Sequence, residues 1–336
     1  MNWQLNYDGP AELYANQLFR ACFTITCATP LAAGTRIVLA ARHVSDFGDG
    51  QTADPETENF VDITDSSTGT HWQLSSENNW QRHPWNRGME LTLQEGGLCR
   101  GDRIQVWLGG QAQSGPGFRC QSFSEEAFRL RLGVLPSGSE KWQVHPVDQC
   151  PAIHIRGNAM TQLRVIVPRC TAANATRQVF LKPEDAHGNV AGIASPTLSL
   201  LDPARHPLTR VALSPDTIGE TTVDLPANNQ WQRLVAASDD GAFEVASSPI
   251  GPSPVVGHQL YWGEIHAQSG LCDGTNSPDV LYDYARRAAG LDFAAVSSHD
   301  FELTRDDWQE IVAATRAHHR PGEFVTFLGY EWSGTS

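Results

Sequence analysis

Apolar and polar positions change their spacing twice along this chain. From about Leu18 to Val147 the apolar runs are short and separated by turn residues. Leu18–Ile25, Thr35–Ala40 and Arg103–Leu108 are rich in the β-branched and aromatic side chains that suit a pleated surface. Phe128–Leu132 alternates apolar with basic residues, the period of a half-buried strand. Gly- and Asp-rich stretches such as Asp46-Phe47-Gly48-Asp49-Gly50 punctuate these runs. Many short strands with regular turns predict a β-sandwich-like domain over residues 1–148.

The pattern repeats over residues 149–250, with strands expected at Leu163–Pro168, Val179–Lys182, Trp231–Ala237 and Phe243–Ala246. Asp185-Ala186-His187-Gly188-Asn189 resembles the Asp-x-x-Gly-Asn turn of immunoglobulin-like bacterial modules, which implies an immunoglobulin-like β domain here. Stacked Pro and Gly from Ser247 to Pro254 then read as a linker, centred on 251–257.

Beyond 258 the spacing becomes helical. Leu260–Ile265, Leu291–Val296 and Phe324–Leu328 are strand-like, and two helix-like runs separate them. Ser277-Pro278-Asp279 can cap and open a helix whose apolar positions are Val280, Leu281, Tyr284, Ala285 and Ala288, with Gly290 as its stop. Thr304-Arg305-Asp306-Asp307 is a capping box with Asp in the place of Glu, followed by Trp308, Ile311, Val312 and Thr315 on one face. Strand, helix, strand, helix, strand predicts a parallel sheet, whose chemistry belongs at the carboxyl ends of its strands. Those ends carry His266, then His299 and Asp300, then Glu331.

This stretch resembles the opening of a PHP (polymerase and histidinol phosphatase) metallohydrolase domain. It is more closely similar to a large family of uncharacterised bacterial proteins whose carboxyl half is PHP-related. The resemblance rests on His266, Asp273-Gly274, Ser298-His299-Asp300 and Gly329-Tyr330-Glu331-Trp332. It implies metal ligands at His266, Asp273, His299 and Glu331, with Gln268 standing where the family has a second His. Such a set suits zinc, manganese or iron in metal-assisted hydrolysis, and the resemblance implies a phosphate ester as the substrate class. Glu331 would bridge ions, and Asp300 would orient His299 rather than bind metal. Fold class is therefore expected to be mainly β, followed over residues 258–336 by the truncated start of an α/β PHP-like barrel. A barrel of this kind takes about 250 residues. The chain thus reads as the N-terminal portion of a longer enzyme, or as one that a partner polypeptide completes. The alternative is a non-catalytic binding or assembly protein acting through its β modules.

Composition narrows these readings. The 336 residues are enough for two or three cored domains, and 40% hydrophobic with 18% charged residues describes a folded chain. A net charge of −14 without a basic run argues against nucleic acid, leaving an unknown small molecule as the expected substrate. No apolar run approaches membrane-spanning length, so no membrane partner is expected. Seven cysteines without Cys-x-x-Cys pairs read as reduced and mostly buried, consistent with the cytoplasm. His318-His319 reads as a solvated cap at a negative helix end. The ten tryptophans read mainly as core, and Cys272 lacks an identifiable base for nucleophilic work.

Overall fold

The computed structural model describes residues 3–76, 80, 83–112, 115–167, 176–193, 196–225, 231–251 and 261–334. The protein is mainly β, and its chain divides into two compact units, Met1–Ile155 and Arg156–Ser336. The expected boundary at 148 moves because strand Ile153–Arg156 pairs back onto Glu125–Phe128 in the first unit. Residues 252–257 of the expected linker lie outside the described residues. No described helix is long and apolar enough to cross a membrane.

In the first unit a four-stranded sheet and a five-stranded sheet, both antiparallel, contribute to one hydrophobic core. Strand Arg103–Leu108 shows the cause: Ile104, Val106 and Leu108 are fully buried and alternate with more exposed neighbours. From the five-stranded sheet Ile37, Leu39, Leu91 and Leu132 meet them. Two expected strands are broken. Leu18–Ile25 is interrupted at Arg20, whose guanidinium turns away to donate to the Gly115 carbonyl. Phe128–Leu132 splits between Glu125–Phe128 and Arg131–Leu135, which pair with strands of different sheets. Period-2 alternation continues across such a crossover, so the pattern alone did not reveal it. Among the described residues Cys22, Cys27, Cys99, Cys120, Cys150 and Cys272 are free, and all but Cys99 are buried. Burial pushes the Cys27 and Cys120 thiols up to about 12, which makes them inert core residues.

The second unit begins with a three-stranded and a four-stranded antiparallel sheet that share a core built from Leu163, Val165, Leu181, Leu198, Leu200 and Leu234. Two expected strands shorten here: Trp231–Ala237 to Val235–Ser238, and Leu163–Pro168 to Gln162–Ile166, with Pro168 outside the described residues. The Asp185 turn forms as expected. Burial raises the Asp185 carboxyl, but hydrogen bonds from Asn158 N, the Asn189 amide, His187 N and Asn189 N outweigh it and hold the group below its ordinary range. Beside it Lys182 and Glu184 form a buried ion pair at 2.9 Å, and Lys182 Nζ also donates to Gly188 O and to Tyr284 Oη. Lys182 thereby ties this β region to the first helix of the α/β segment.

That segment is a three-stranded parallel sheet, Gly263–Ala267, Phe293–Val296 and Val325–Leu328 in sequential order, with helices between the strands. Ser277 caps helix Pro278–Asp283 by accepting from Val280 N. The next turn, Tyr284–Ala288, is wound as a π-helix. Tyr282, which shares a helical face with Pro278 and Ala285, rather than the expected Tyr284 enters the core, and Tyr284 packs its ring against Lys182. Gly290 ends the helix at φ +64°, where a side chain would also strike Ile166. The Thr304/Asp307 capping box closes as expected, and helix Arg305–His318 buries Ile311, Ala314 and Thr315. His318 is not a solvated cap: it stacks on Tyr282 and reaches Asp279 at 3.1 Å.

Tyr282 holds the layers together. Its fully buried hydroxyl accepts from Val296 N on the central strand, lies 3.0 Å from Thr315 Oγ1 on the second helix, and reaches Phe327 O. Removing it leaves a buried amide without its acceptor, which costs about 1–3 kcal/mol. Tyr282→Phe should destabilise this segment by that amount and speed hydrogen exchange at the Val296 amide; unchanged exchange would contradict the assignment. Asp185, with its depressed carboxyl, contributes stability that is present above the ordinary carboxylate range and lost as pH falls through its folded value. In acid unfolding, Asp185→Asn should be less stable at neutral pH and show a shallower acid limb, whereas parallel limbs would refute this role.

Candidate metal centre

The parallel ladder places the site. Three residues beyond the strand ends His299 pairs with Glu331 as a parallel bridge, held by Asp300 N donating to Glu331 O and Glu331 N donating to Ser298 O, both at 3.0 Å. Bridge partners in a parallel ladder present their side chains on one face, so the imidazole and the carboxylate lie side by side. On the neighbouring strand the register shifts between Glu264 and Ala267. Glu264 folds back to accept from His266 N at 2.7 Å instead of joining the cluster.

Three side chains converge on one atom, Glu331 Oε2. His266 Nε2 lies 3.2 Å from it, Gln268 Nε2 donates at 2.9 Å, and His299 Nδ1 is 3.6 Å away. The other ring nitrogen of His299 reaches Asp273 Oδ2 at 3.2 Å. The four sequence-expected ligands are thus brought together, and Gln268 joins them as an amide donor. Exposure grades outward: the His299 side chain is 19% exposed and His266 69%. Asp300 does not orient His299 directly. Its carboxylate accepts from Ser333 N at 3.1 Å, and it is Ser333 Oγ that lies 3.2 Å from His299 Nδ1. Trp332 is 76% exposed and does not pack the rim of the site.

Two carboxylates therefore approach the single His299 ring from opposite sides. A neutral imidazole has one N–H and can donate to only one of them. A divalent cation held by the carboxylates would take the remaining ring lone pair, and the imidazole and carboxylate donors match zinc, manganese or iron. The residues present fit such an ion. Three further groups were not singled out as ligands or positioning groups by sequence reasoning. Ser333 lies beyond the third strand, and Cys272 and Glu302 sit in loops. The Cys272, Asp273 and Glu302 ligand atoms lie within 4.8 Å of one another. The adjacency of Cys272 to Asp273, and the place of Glu302 three residues after His299, are the signals that could have found them.

Comparison with known proteins adds family context without a function. Residues 279–336 match the family described as protein of unknown function DUF3604. That match includes His299, Asp300 and Glu331 and begins after His266 and Asp273. The chain is also similar to uncharacterised proteins of Chlamydia muridarum and Chlamydia trachomatis serovar D, at 21% and 22% identity over 242 residues. Each similarity covers 69% of this chain and 38% of the relative, so the chain spans well under half the length of these relatives.

Proposed function

We propose that residues 261–334 form the opening βαβαβ portion of a PHP-related metallohydrolase domain that follows two β-sandwich modules, the second immunoglobulin-like. In this reading His266, Asp273, His299 and Glu331 hold one or two divalent ions of zinc, manganese or iron. The observation that carries it is the convergence of His266, Gln268 and His299 on one Glu331 oxygen at the carboxyl ends of parallel strands. When bound, the ion supplies a Lewis acid and an activated water for hydrolysis, with a phosphate ester as the substrate class. The protein's own residues orient it. Glu331 presents one oxygen to His266, Gln268 and His299, and it would be the carboxylate shared between ions if two are bound. Asp300 fixes Ser333, which sets the His299 ring. Gln268 supplies an amide where an imidazole would bind more strongly.

The same reading accounts for the uncovered face of the sheet. Ile265 and Phe327 are 63% and 50% exposed, and in a barrel they would line the interior wall. Further strands, from the same or a partner polypeptide, would cover them. Free buried cysteines suit a reducing compartment such as the cytoplasm.

The test is metal content of the purified full chain by plasma mass spectrometry. About one to two divalent ions per chain are expected, falling to background in a His299→Ala variant that keeps its circular dichroism. Protein without metal, or metal undiminished by His299→Ala, would overturn the reading.

A further inference from the structure

Cys272 is a strong metal-binding side chain at this end of the sheet, and the proposed ligand set leaves it unused. It is almost fully buried, and its thiol contacts the Gln268 carbonyl oxygen, whose amide in turn donates to Glu331. The sulfur is therefore joined through one side chain to the focal carboxylate of the site. Its ligand atom lies within 4.8 Å of those of Asp273 and Glu302, and Asp273 also contacts His299.

Hydrogen-bond donors face the sulfur. They are the backbone N–H groups of His299 and Asp273 and the Ser298 hydroxyl, while burial holds the thiol above its ordinary range. A neutral thiol is a weak donor and gains little from donors aimed at it, whereas a thiolate gains much. The Ser298 hydroxyl is a second observation: it is fully buried, finds no oxygen or nitrogen partner, and acts on the Cys272 sulfur as a hydrogen-bond donor. A sulfur ligand of a metal would supply that buried hydroxyl with a full acceptor.

We propose that Cys272, Asp273 and Glu302 form a thiolate-containing ligand set beside His299, so that this end of the sheet selects a thiophilic divalent cation, zinc before manganese or magnesium. The inference rests on the metal reading of the site and sharpens it. Thiolate and imidazole are soft to borderline donors that favour zinc, and carboxylate or water ligands alone would not discriminate in this way. On coordination the Cys272 S–H bond breaks, its electron pair goes to the metal, and the proton leaves to solvent. Asp273 lies in both groups and links the thiolate to the histidine side.

Cobalt(II) titration of the metal-stripped full chain tests this, because a cobalt thiolate gives a near-ultraviolet charge-transfer band and carboxylate or imidazole ligands give only visible d–d bands. The wild type should show both. Cys272→Ser, a near-isosteric change, should lose the near-ultraviolet band and keep cobalt-dependent visible bands. Glu302→Gln should keep both bands and bind cobalt about tenfold more weakly or worse. Visible bands without a charge-transfer band in the wild type would overturn the thiolate and leave the histidine–carboxylate site standing. A charge-transfer band retained in Cys272→Ser would overturn it by placing the sulfur elsewhere. No cobalt bound at all would sink both the inference and the reading beneath it. Unchanged thermal unfolding of each variant secures the comparison.

Discussion

The pairing of His299 with Glu331 is the constraint on which the site depends. Two backbone hydrogen bonds resume the parallel pairing three residues past the strand ends and set an imidazole beside a carboxylate. Every other group is positioned relative to that pair. His266 and Gln268 reach Glu331 from the adjoining strand end, Asp273 reaches His299 from the loop that follows, and Ser333 is held to His299 by Asp300. A site built on paired backbone is held more closely than one built on loops.

The ladder in turn depends on the packing behind it. Tyr282, on the first helix, hydrogen-bonds with Thr315 on the second helix and with Val296 on the central strand. Tyr284, in the π turn that follows, meets Lys182, whose charge is balanced by buried Glu184. A buried ion pair is weak support for stability in itself, yet losing either partner strands the other charge. Lys182 thus links the seven-stranded β region to the sheet that carries the site.

Much of this was legible in the sequence, for reasons that differ by element. The capping box and the Ser277-Pro278 start depend on neighbouring residues, so they could be read directly and they formed. The strand ends carrying His266, His299 and Glu331 followed from alternating strand and helix patterns. What escaped reading depends on contacts distant in sequence. The burial of Tyr282 in place of Tyr284, the crossover at Arg129 and Leu130 between two sheets, and the role of Asp300 on Ser333 rather than His299 all belong to this class. Cys272 and Glu302 come together through loops, where no periodicity marks which side chains converge. The matched family segment and the distant relatives leave the chemistry of the site to be settled by the site itself.

The most direct measurement is X-ray diffraction from zinc-soaked crystals of the full chain, recorded on both sides of the zinc absorption edge. The account expects an anomalous peak among Asp273, His299 and Glu331, within bonding distance of at least one ring nitrogen and one carboxylate. A zinc-saturated protein with no peak there, and with the His299–Glu331 contact unchanged, would contradict it.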